Sequence, residues 1–455
     1  MSGQEQRAVP LRQIFRLHPG PRSGSEPQAG RHAGEATRPG HGRTADPAAG
    51  HAPAPEGSGR PGPERGPVAR LWAAGRLSMT VLLDDKEPLY TLLPRTRPPA
   101  RPDTAPPGAL ALSRFAVIRW HGDAFVIESP RAWCDVRLRD PALLGVLTGA
   151  RERGRDGLPD AVVERLGRDL WWAGLAVPPA DDTEGTEPSL RQWAPHELWF
   201  HSRTRMSGRQ PDEGFGKTDW ARGAFAPLPA RRPSFPGPGI GLCRPDLGLL
   251  RTTDPSLTTV METRRTIRAH DDASPLTHDQ LGEFLFRCCR NRWKAELRGV
   301  EYVSRPYPAG GSGYELEIYP VVGNVAGLAP ALYHYDPQDH RLERVCGRTP
   351  DVRRLLALAA RLADQERPPQ VLLVVAARFG RLMWSYQGMP YALIMKHTGV
   401  LFQTMYTVAT AMGLAPCALG TGDSDAFARA TGLDPYAEAS VGEFMLGSRP
   451  TTGSM

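Results

Sequence analysis

Residues 391–412 form the longest apolar stretch of the chain, and the groups that interrupt it decide what can be built around it. Lys396, His397, Gln403 and four threonines lie inside the run. A bilayer span tolerates such groups poorly, so the segment reads as a central helix buried in protein and stopped by Gly413. Just upstream, residues 371–376 are unbroken apolar, the mark of a strand covered on both faces. Residues 416–420 and 441–446 add two further strands. Helix and strand signals alternate from residue 255 onward.

From residue 254 onward the punctuation supports that layout. Asp254 and Pro255 read as N-cap and first-turn residues of a helix carrying Leu257, Val260, Met261 and Arg264 on one face. Thr277 and Gln280 form a capping-box start, followed by Leu281, Phe284, Leu285, Cys288 and Cys289 on one side. Residues 314–318 alternate apolar with Glu315 and Glu317, as a half-buried strand does. Residues 332–335 and 341–345 flank an Asp336-Pro337 turn. Thr349-Pro350-Asp351 opens a helix with Val352, Leu355, Leu356, Ala359 and Leu362 inward.

The chain has 455 residues, room for two or three domains. Its formal net charge of +7 would suit an acidic partner, but residues 1–78 hold eleven Arg against six Asp or Glu and so carry five of those charges. The remainder is close to neutral, which removes the main support for nucleic-acid binding. Residues 1–78 are rich in Gly, Pro, Ala and Arg without apolar periodicity, and are expected to be disordered. Met79 opens a plausible translation start, with the upstream tail as an extension. Residues 79–110 read as a linker and 111–245 as a winged-helix-like region with its connector. In it, two strands flank His121-Gly122-Asp123, Asp140-Pro141 starts one helix, a second spans 158–170, and 175–177 returns as a strand. Residues 246–455 form the second domain. Six cysteines at 134, 243, 288, 289, 346 and 417 include no CxxC pair, so neither zinc nor a disulfide framework is expected, and Cys417 reads as a core residue. No apolar secretory segment opens the chain, and a cytoplasmic protein away from membranes is the expectation. His196 and His201 are five apart, out of register for two metal ligands on one helical face.

Four pieces carry the chemistry. Arg264, Arg265, Thr266 and Arg268 gather guanidiniums suited to a phosphate. Ala309, Gly310, Gly311 and Ser312 follow Pro308 in a loop whose amides can approach a flat or anionic ligand. Lys396-His397 interrupts the apolar helix, and Gly420, Thr421 and Gly422 end the strand after it. No GxGxxG follows a strand and no Walker lysine is present.

METRRTIR (261–268), YPAGGSGYELEIYPVV (307–322), ALYHYDPQDHRLERV (331–345) and KHTGVLFQTMYTVATAMGLAPCALGTGDSDAFA (396–428) together resemble the nitroreductase-like flavoproteins. Within them, the likeness is to the SagB/ThcOx-type dehydrogenases of thiazole- and oxazole-modified peptides. HELWFHSRTRMSGR (196–209) is similar to that family's connector between its N-terminal and catalytic parts. The resemblance implies the α+β class, with a mixed central sheet flanked by helices, a homodimer, and FMN between subunits. By it, Arg264, Thr266 and Arg268 hold the phosphate, ribityl chain and ring edge, with Arg265 beside them. Residues 309–312 lie along the flavin, Gly420–Gly422 approach from the other side, and Arg449 contacts phosphate. The family's azoline oxidases carry an adjacent Lys-Tyr pair. Lys396 matches the lysine, while His397 departs from the pattern. Either Lys396, its pKa lowered by burial, or His397 then serves as base, with Tyr391 or Tyr386 as the missing phenol. The implied activity is FMN-dependent oxidation of thiazoline or oxazoline rings in a ribosomally made precursor peptide. The N-terminal part would hold that peptide or a cyclodehydratase. An NAD(P)H-dependent nitro- or quinone reductase and a flavin-free scaffold are the alternatives.

Overall fold

The computed structural model describes residues 11–17, 66–84, 87–106, 108–147, 158–178, 183–206 and 214–450. Contacts divide the chain into units 1–213 and 214–455.

The first unit is built on a six-stranded antiparallel sheet. Its strands are β1 (Leu11–Leu17), β2 (Leu77–Leu83), β3 (Glu87–Pro94), β4 (Val117–His121), β5 (Ala124–Glu128) and β6 (Cys134–Leu138), in the order β1-β2-β3-β6-β5-β4. The β4–β5 hairpin turns on Gly122 and Asp123, with Gly122 at φ 65, a value that suits a residue without a side chain. Helices α1 (Ala142–Leu147) and α2 (Asp160–Ala173) follow, and Leu143, Val162, Leu166 and Leu170 share one core with Leu92, Ile127 and Val136. Helix α3 (Pro195–Arg203) is tied to the unit where the Trp199 indole donates to the Phe115 carbonyl and Arg203 pairs with Glu128 at 2.9 Å.

Several expectations change here. Residues 79–110, read as a linker, hold most of β2 and all of β3, two inner strands of the sheet. The hairpin, two helices and a return at 176–177 are present, but β6 intervenes and 176–177 pairs with 111–112. The sheet is six strands wide, unlike a winged helix. Residues 11–17 were expected to lack structure, yet they pair with β2 along their whole length. Backbone hydrogen bonds to an existing strand order such a segment although most of its side chains stay exposed. Pro67–Ala73 of the same tail form a helix and Leu77 and Ser78 open β2, while residues 1–10 and 18–65 lie outside the described residues.

The second unit holds a seven-stranded sheet between two helical layers. It is built from β7 (Ile240–Gly241), α4 (Leu257–Thr263), α5 (His278–Cys289), β8 (Leu316–Val322), β9 (Leu332–Asp336), β10 (Arg341–Cys346), α6 (Pro350–Leu362), β11 (Val371–Arg378), α7 (Pro390–Ala411), β12 (Leu414–Leu419), α8 (Ser424–Thr431) and β13 (Glu438–Ser448). Strand order is β7-β10-β9-β8-β11-β13-β12, and every pairing is antiparallel where a mixed sheet was expected. The crossover α7 joins β11 to β12 two positions apart, and β13 inserts between them in the opposite sense, so no parallel neighbours meet. Phe284, Leu285, Ile394, Leu401 and Met405 from α5 and α7 pack on Ile318, Leu373 and Phe444. On the other face Val352, Leu355, Leu356 and Phe427 from α6 and α8 meet Tyr319, Val321, Leu372 and Met445.

Caps explain the helix starts. Thr277 and Gln280 exchange side chain-to-backbone bonds at 3.1 and 3.0 Å, and Thr349 caps α6. Helix α4 begins later than the sequence suggested, with Ser256 as its cap. Asp254 instead ends the preceding turn of helix and pairs with Arg287 at 2.5 Å. The apolar face expected on α4 buries only Val260, while Leu257 is 71% and Met261 50% exposed. Among the described residues no helix is long and apolar enough to cross a membrane.

Candidate functional site

Beyond α4 the chain runs extended through Arg264–Arg268 and is fixed to its neighbours at two points. The Ile267 amide donates to the Pro416 carbonyl at 2.9 Å, which lays the segment beside β12. The Thr266 hydroxyl meets the Tyr406 phenol at 2.9 Å, and that phenol oxygen accepts the Ala418 N–H at 2.9 Å. Arg264 stacks its guanidinium over the Tyr406 ring at 5.4 Å. Tyr406 thereby organises the cluster from α7, a part the sequence reading did not give it. Arg264, Arg265 and Arg268 have no carboxylate partner among the described residues, and Arg449 has none either. Burial pushes the Cys417 thiol up, with nearby Arg268 opposing, in keeping with an inert core cysteine.

The glycine loop is held more firmly. Gly310–Ser312 make a tight turn in which Gly311 sits at φ 61, followed by Ser312 at φ 52 and Tyr314 at φ 42. Two non-glycine residues in the left-handed region within three positions store backbone strain that the surroundings must maintain. His397 Nε2 accepts the Gly310 N–H at 2.7 Å, and its Nδ1 meets Glu315 Oε1 at 2.7 Å. Arg381 donates to the carbonyls of Gly313, Leu228 and Glu301 at 3.0, 2.7 and 3.0 Å. Burial draws the Arg381 guanidinium down to about 10. A methyl group on Gly311 would come within 2.5 Å of the Tyr386 hydroxyl, so that phenol lies against the loop backbone. A cavity of about 70 Å³ beside it is lined by Lys217, Tyr302, Gly311, Ser312, Trp384 and Tyr386.

Helix α7 joins the two parts. Its inward stripe is Ile394, His397, Thr398, Leu401, Met405 and Ala409. His397 is therefore buried, while Lys396, one residue and about 100° away, is exposed. The expected burial of Lys396 is not found within this chain. Tyr391, at 43% exposure, lies against Phe379 rather than the glycine loop. Gly310 and His397 come together, as do Arg264 and Thr266 on Tyr406. The nine residues from 397 to 406 separate these groups by about 13 Å along the helix axis. Gly420, Thr421 and Gly422 emerge from β12 as an exposed turn. A side chain at Gly422 would collide with the Glu443 carboxylate, which burial raises to about 7.

The strand expected to be half-buried is covered on both faces, because α5 and α7 pack on one side of the sheet and α6 and α8 on the other. Glu315 and Glu317 are fully buried and partnered, Glu315 by His397 and Glu317 by His334 at 3.2 Å. Arg378 also faces Glu317 at 3.6 Å, and these neighbours hold the Glu317 carboxyl below its ordinary range against the cost of burial. Glu315 was missed as a site residue because alternation with apolar neighbours also describes a surface-facing position. A histidine at inward helical phase was the available signal.

The donor set fits a ligand with a phosphate and a flat ring, as FMN has. Guanidiniums at 264, 265 and 268, without a carboxylate partner among the described residues, suit the phosphate, and side-chain-free backbone at 310, 311 and 420 allows close approach. An anion placed there would relieve like charges that nothing else among the described residues neutralises.

Comparison with known proteins gives two family matches, to the cyanobactin oxidase ThcOx over residues 110–210 and to the nitroreductase family over residues 261–448. The chain is similar to a Methanocaldococcus jannaschii protein described as a nitroreductase, 29% identical over 176 residues, which cover 39% of this chain and 81% of that one. It is also similar to the trifolitoxin-processing protein TfxB of Rhizobium leguminosarum bv. trifolii, 24% identical over 149 residues, 32% of this chain and 40% of that protein. The chain thus spans less than half the length of the second relative. A nitroreductase structure from Anabaena variabilis aligns at 23% identity and TM-score 0.38, covering 55% of this chain and 45% of that chain. A chain of the E. coli microcin synthetase McbBCD complex aligns at 21% identity and TM-score 0.34, covering 51% of this chain and 90% of that chain.

Proposed function

Since the chain is of the ThcOx type, a ThcOx segment followed by a nitroreductase-family oxidoreductase domain, we propose that it oxidises thiazoline or oxazoline rings of a ribosomally made peptide with FMN. The observation that carries this reading is the pairing of an uncompensated arginine cluster with a rigid glycine loop along one helix. Arg264 and Arg268 would hold the phosphate, Arg265 and Arg449 would add to its field, and Thr266, already bonded to Tyr406, would fix the segment that presents them. Residues 309–312 would lie along the ring, with Gly420, Thr421 and Gly422 opposite. FMN, when bound, would accept hydride from the azoline and pass the electrons to molecular oxygen.

The chain's own residues must bind the ring, exclude water and take the proton from its α-carbon. Lys396 Nζ is the proposed acceptor, since nothing among the described residues occupies it. Proton removal by this amine needs it covered, since burial disfavours the charged form. The open side chains of Leu257 and Met261 on α4, which meets α7 at Gln403, and of Val400 one turn beyond Lys396, support a homodimer that would do so. In the first unit, β4 is a sheet edge that leaves Val117 and Trp120 41% and 59% exposed, and it supports capture of an extended precursor peptide by strand addition. A cyclodehydratase that makes the ring is the expected partner, and the cytoplasm the expected compartment.

Similarity to a protein described as a nitroreductase over 81% of its length favours a second reading, reduction of nitro compounds or quinones by NAD(P)H. The test is incubation of FMN-loaded protein with an azoline peptide in air. Loss of two hydrogens per ring supports the first reading. NADPH consumption with a nitroaromatic, and an unchanged peptide, decides for the second.

A further inference from the structure

The departure at position 397 has a structural consequence in the bonds around its ring. Both imidazole nitrogens are engaged inside the protein, Nε2 as acceptor of the Gly310 N–H and Nδ1 against Glu315 Oε1, each at 2.7 Å. His397 and Glu315 are both buried. Because Gly310 N can only donate, Nε2 must carry the lone pair, which places the proton on Nδ1 facing the carboxylate. Glu315 Oε2 has no partner in the same buried pocket, so His397 is the group that answers this charge. An imidazole in this state has no lone pair left for a substrate. Protonating Nε2 would set two donors face to face at Gly310 and break the bond that holds the loop.

The loop needs holding. Gly311, Ser312 and Tyr314 all adopt positive φ, and the turn is pinned at Gly313 by Arg381 and covered at Gly311 by Tyr386. Without the Gly310 bond its leading end has no side-chain anchor among these contacts. We propose that the Glu315–His397 pair is a positioning device that fixes the Gly310–Ser312 backbone for the flavin, and that His397 is not the base of the reaction. This rests on the proposed function for the identity of the ligand, though the clamp itself is a property of the chain. The pair acts through the backbone of the loop and does not touch the substrate. With both ring nitrogens of His397 engaged inside the protein, proton removal falls to another side chain.

The experiment compares full-length wild type with His397→Gln and His397→Phe. Glutamine can place an acceptor oxygen near the Nε2 position, while phenylalanine fills the space without one. Three readouts are taken: melting temperature, hydrogen exchange of the peptide containing Gly310, and FMN affinity with the visible band of bound flavin. We expect the phenylalanine variant to lose exchange protection at the loop, to weaken FMN binding on the order of tenfold, as for one lost hydrogen bond, and to shift the flavin band. Glutamine should restore all three to near wild type. Unchanged protection and affinity in both variants, with turnover lost, would make His397 a base and overturn the proposal. Equal loss in both variants would also overturn it, because the acceptor would then not be the operative feature. Wild-type protein that binds no FMN, yet shows the expected exchange pattern, would sink the flavin reading and leave the clamp standing.

Discussion

Lys396 and His397 are sequence neighbours with opposite environments, and helix geometry alone separates them. Each residue of α7 turns about 100°, so a stripe fixed by Ile394, Leu401 and Met405 takes His397 inward and leaves Lys396 out. The inward histidine was legible from this spacing, but its partner was not, because Glu315 lies 82 positions away, one residue before β8, in a stretch whose charge pattern suggested exposure. Two predictions belong to this scale. Lys396→Ala should bind FMN within about twofold of wild type while kcat falls on the order of a hundredfold, as for loss of a general base, measured by peptide mass spectrometry and flavin titration. Arg264→Ala should weaken FMN binding on the order of tenfold to a hundredfold, the worth of a charge-assisted bond, with little change in melting temperature. Calorimetric titration showing wild-type affinity would remove Arg264 from the phosphate site.

At the level of elements, the caps at Thr277 and Thr349 and the periodicity of α5 and most of α6 were readable, because capping and apolar spacing are local properties, but Leu362, expected inward, is 41% exposed at the last turn of α6. What α4 faces was not. Leu257 and Met261 read as core by spacing, yet periodicity says only that a face is apolar, and not whether this chain or another covers it. If this face closes the proposed homodimer, Leu257→Asp combined with Met261→Asp should lower the mass by light scattering from that of two chains to that of one, with melting temperature nearly unchanged; a large loss of stability instead would return that face to the core. Strand β13 carries a pH effect. Burial raises Glu443 from 4.5 to about 7, so the folded protein keeps a proton that the unfolded chain releases. Its contribution is full below 4.5 and is lost as pH rises to about 7, at no more than about 1.4 kcal/mol per pH unit. Denaturation across that window should show wild type losing stability relative to Glu443→Gln. Parallel curves would refute the shift.

For the molecule as a whole, alternating helix and strand signals and the family resemblance led to the α+β class, but the boundary expected at 245/246 falls instead near residue 213, because the connector 214–245 makes its contacts with the second unit and carries no apolar periodicity that would show this. The antiparallel order of the second sheet was beyond reach. It depends on β13 entering between β11 and β12, a long-range pairing with no local signature. The strand at residues 11–17 escaped for a similar reason, as only its pairing with β2 distinguishes it from the Gly/Pro-rich surroundings. The two units meet the two needs of the proposed activity, a surface for a peptide and a site for electron transfer. The second need is the more exposed to test. Titrating the purified full-length chain with FMN while recording the visible spectrum tests it directly. The account predicts saturable binding and a structured band near 450 nm, flavin's usual range, that Arg264→Ala weakens; a flat titration with no retained colour would contradict it.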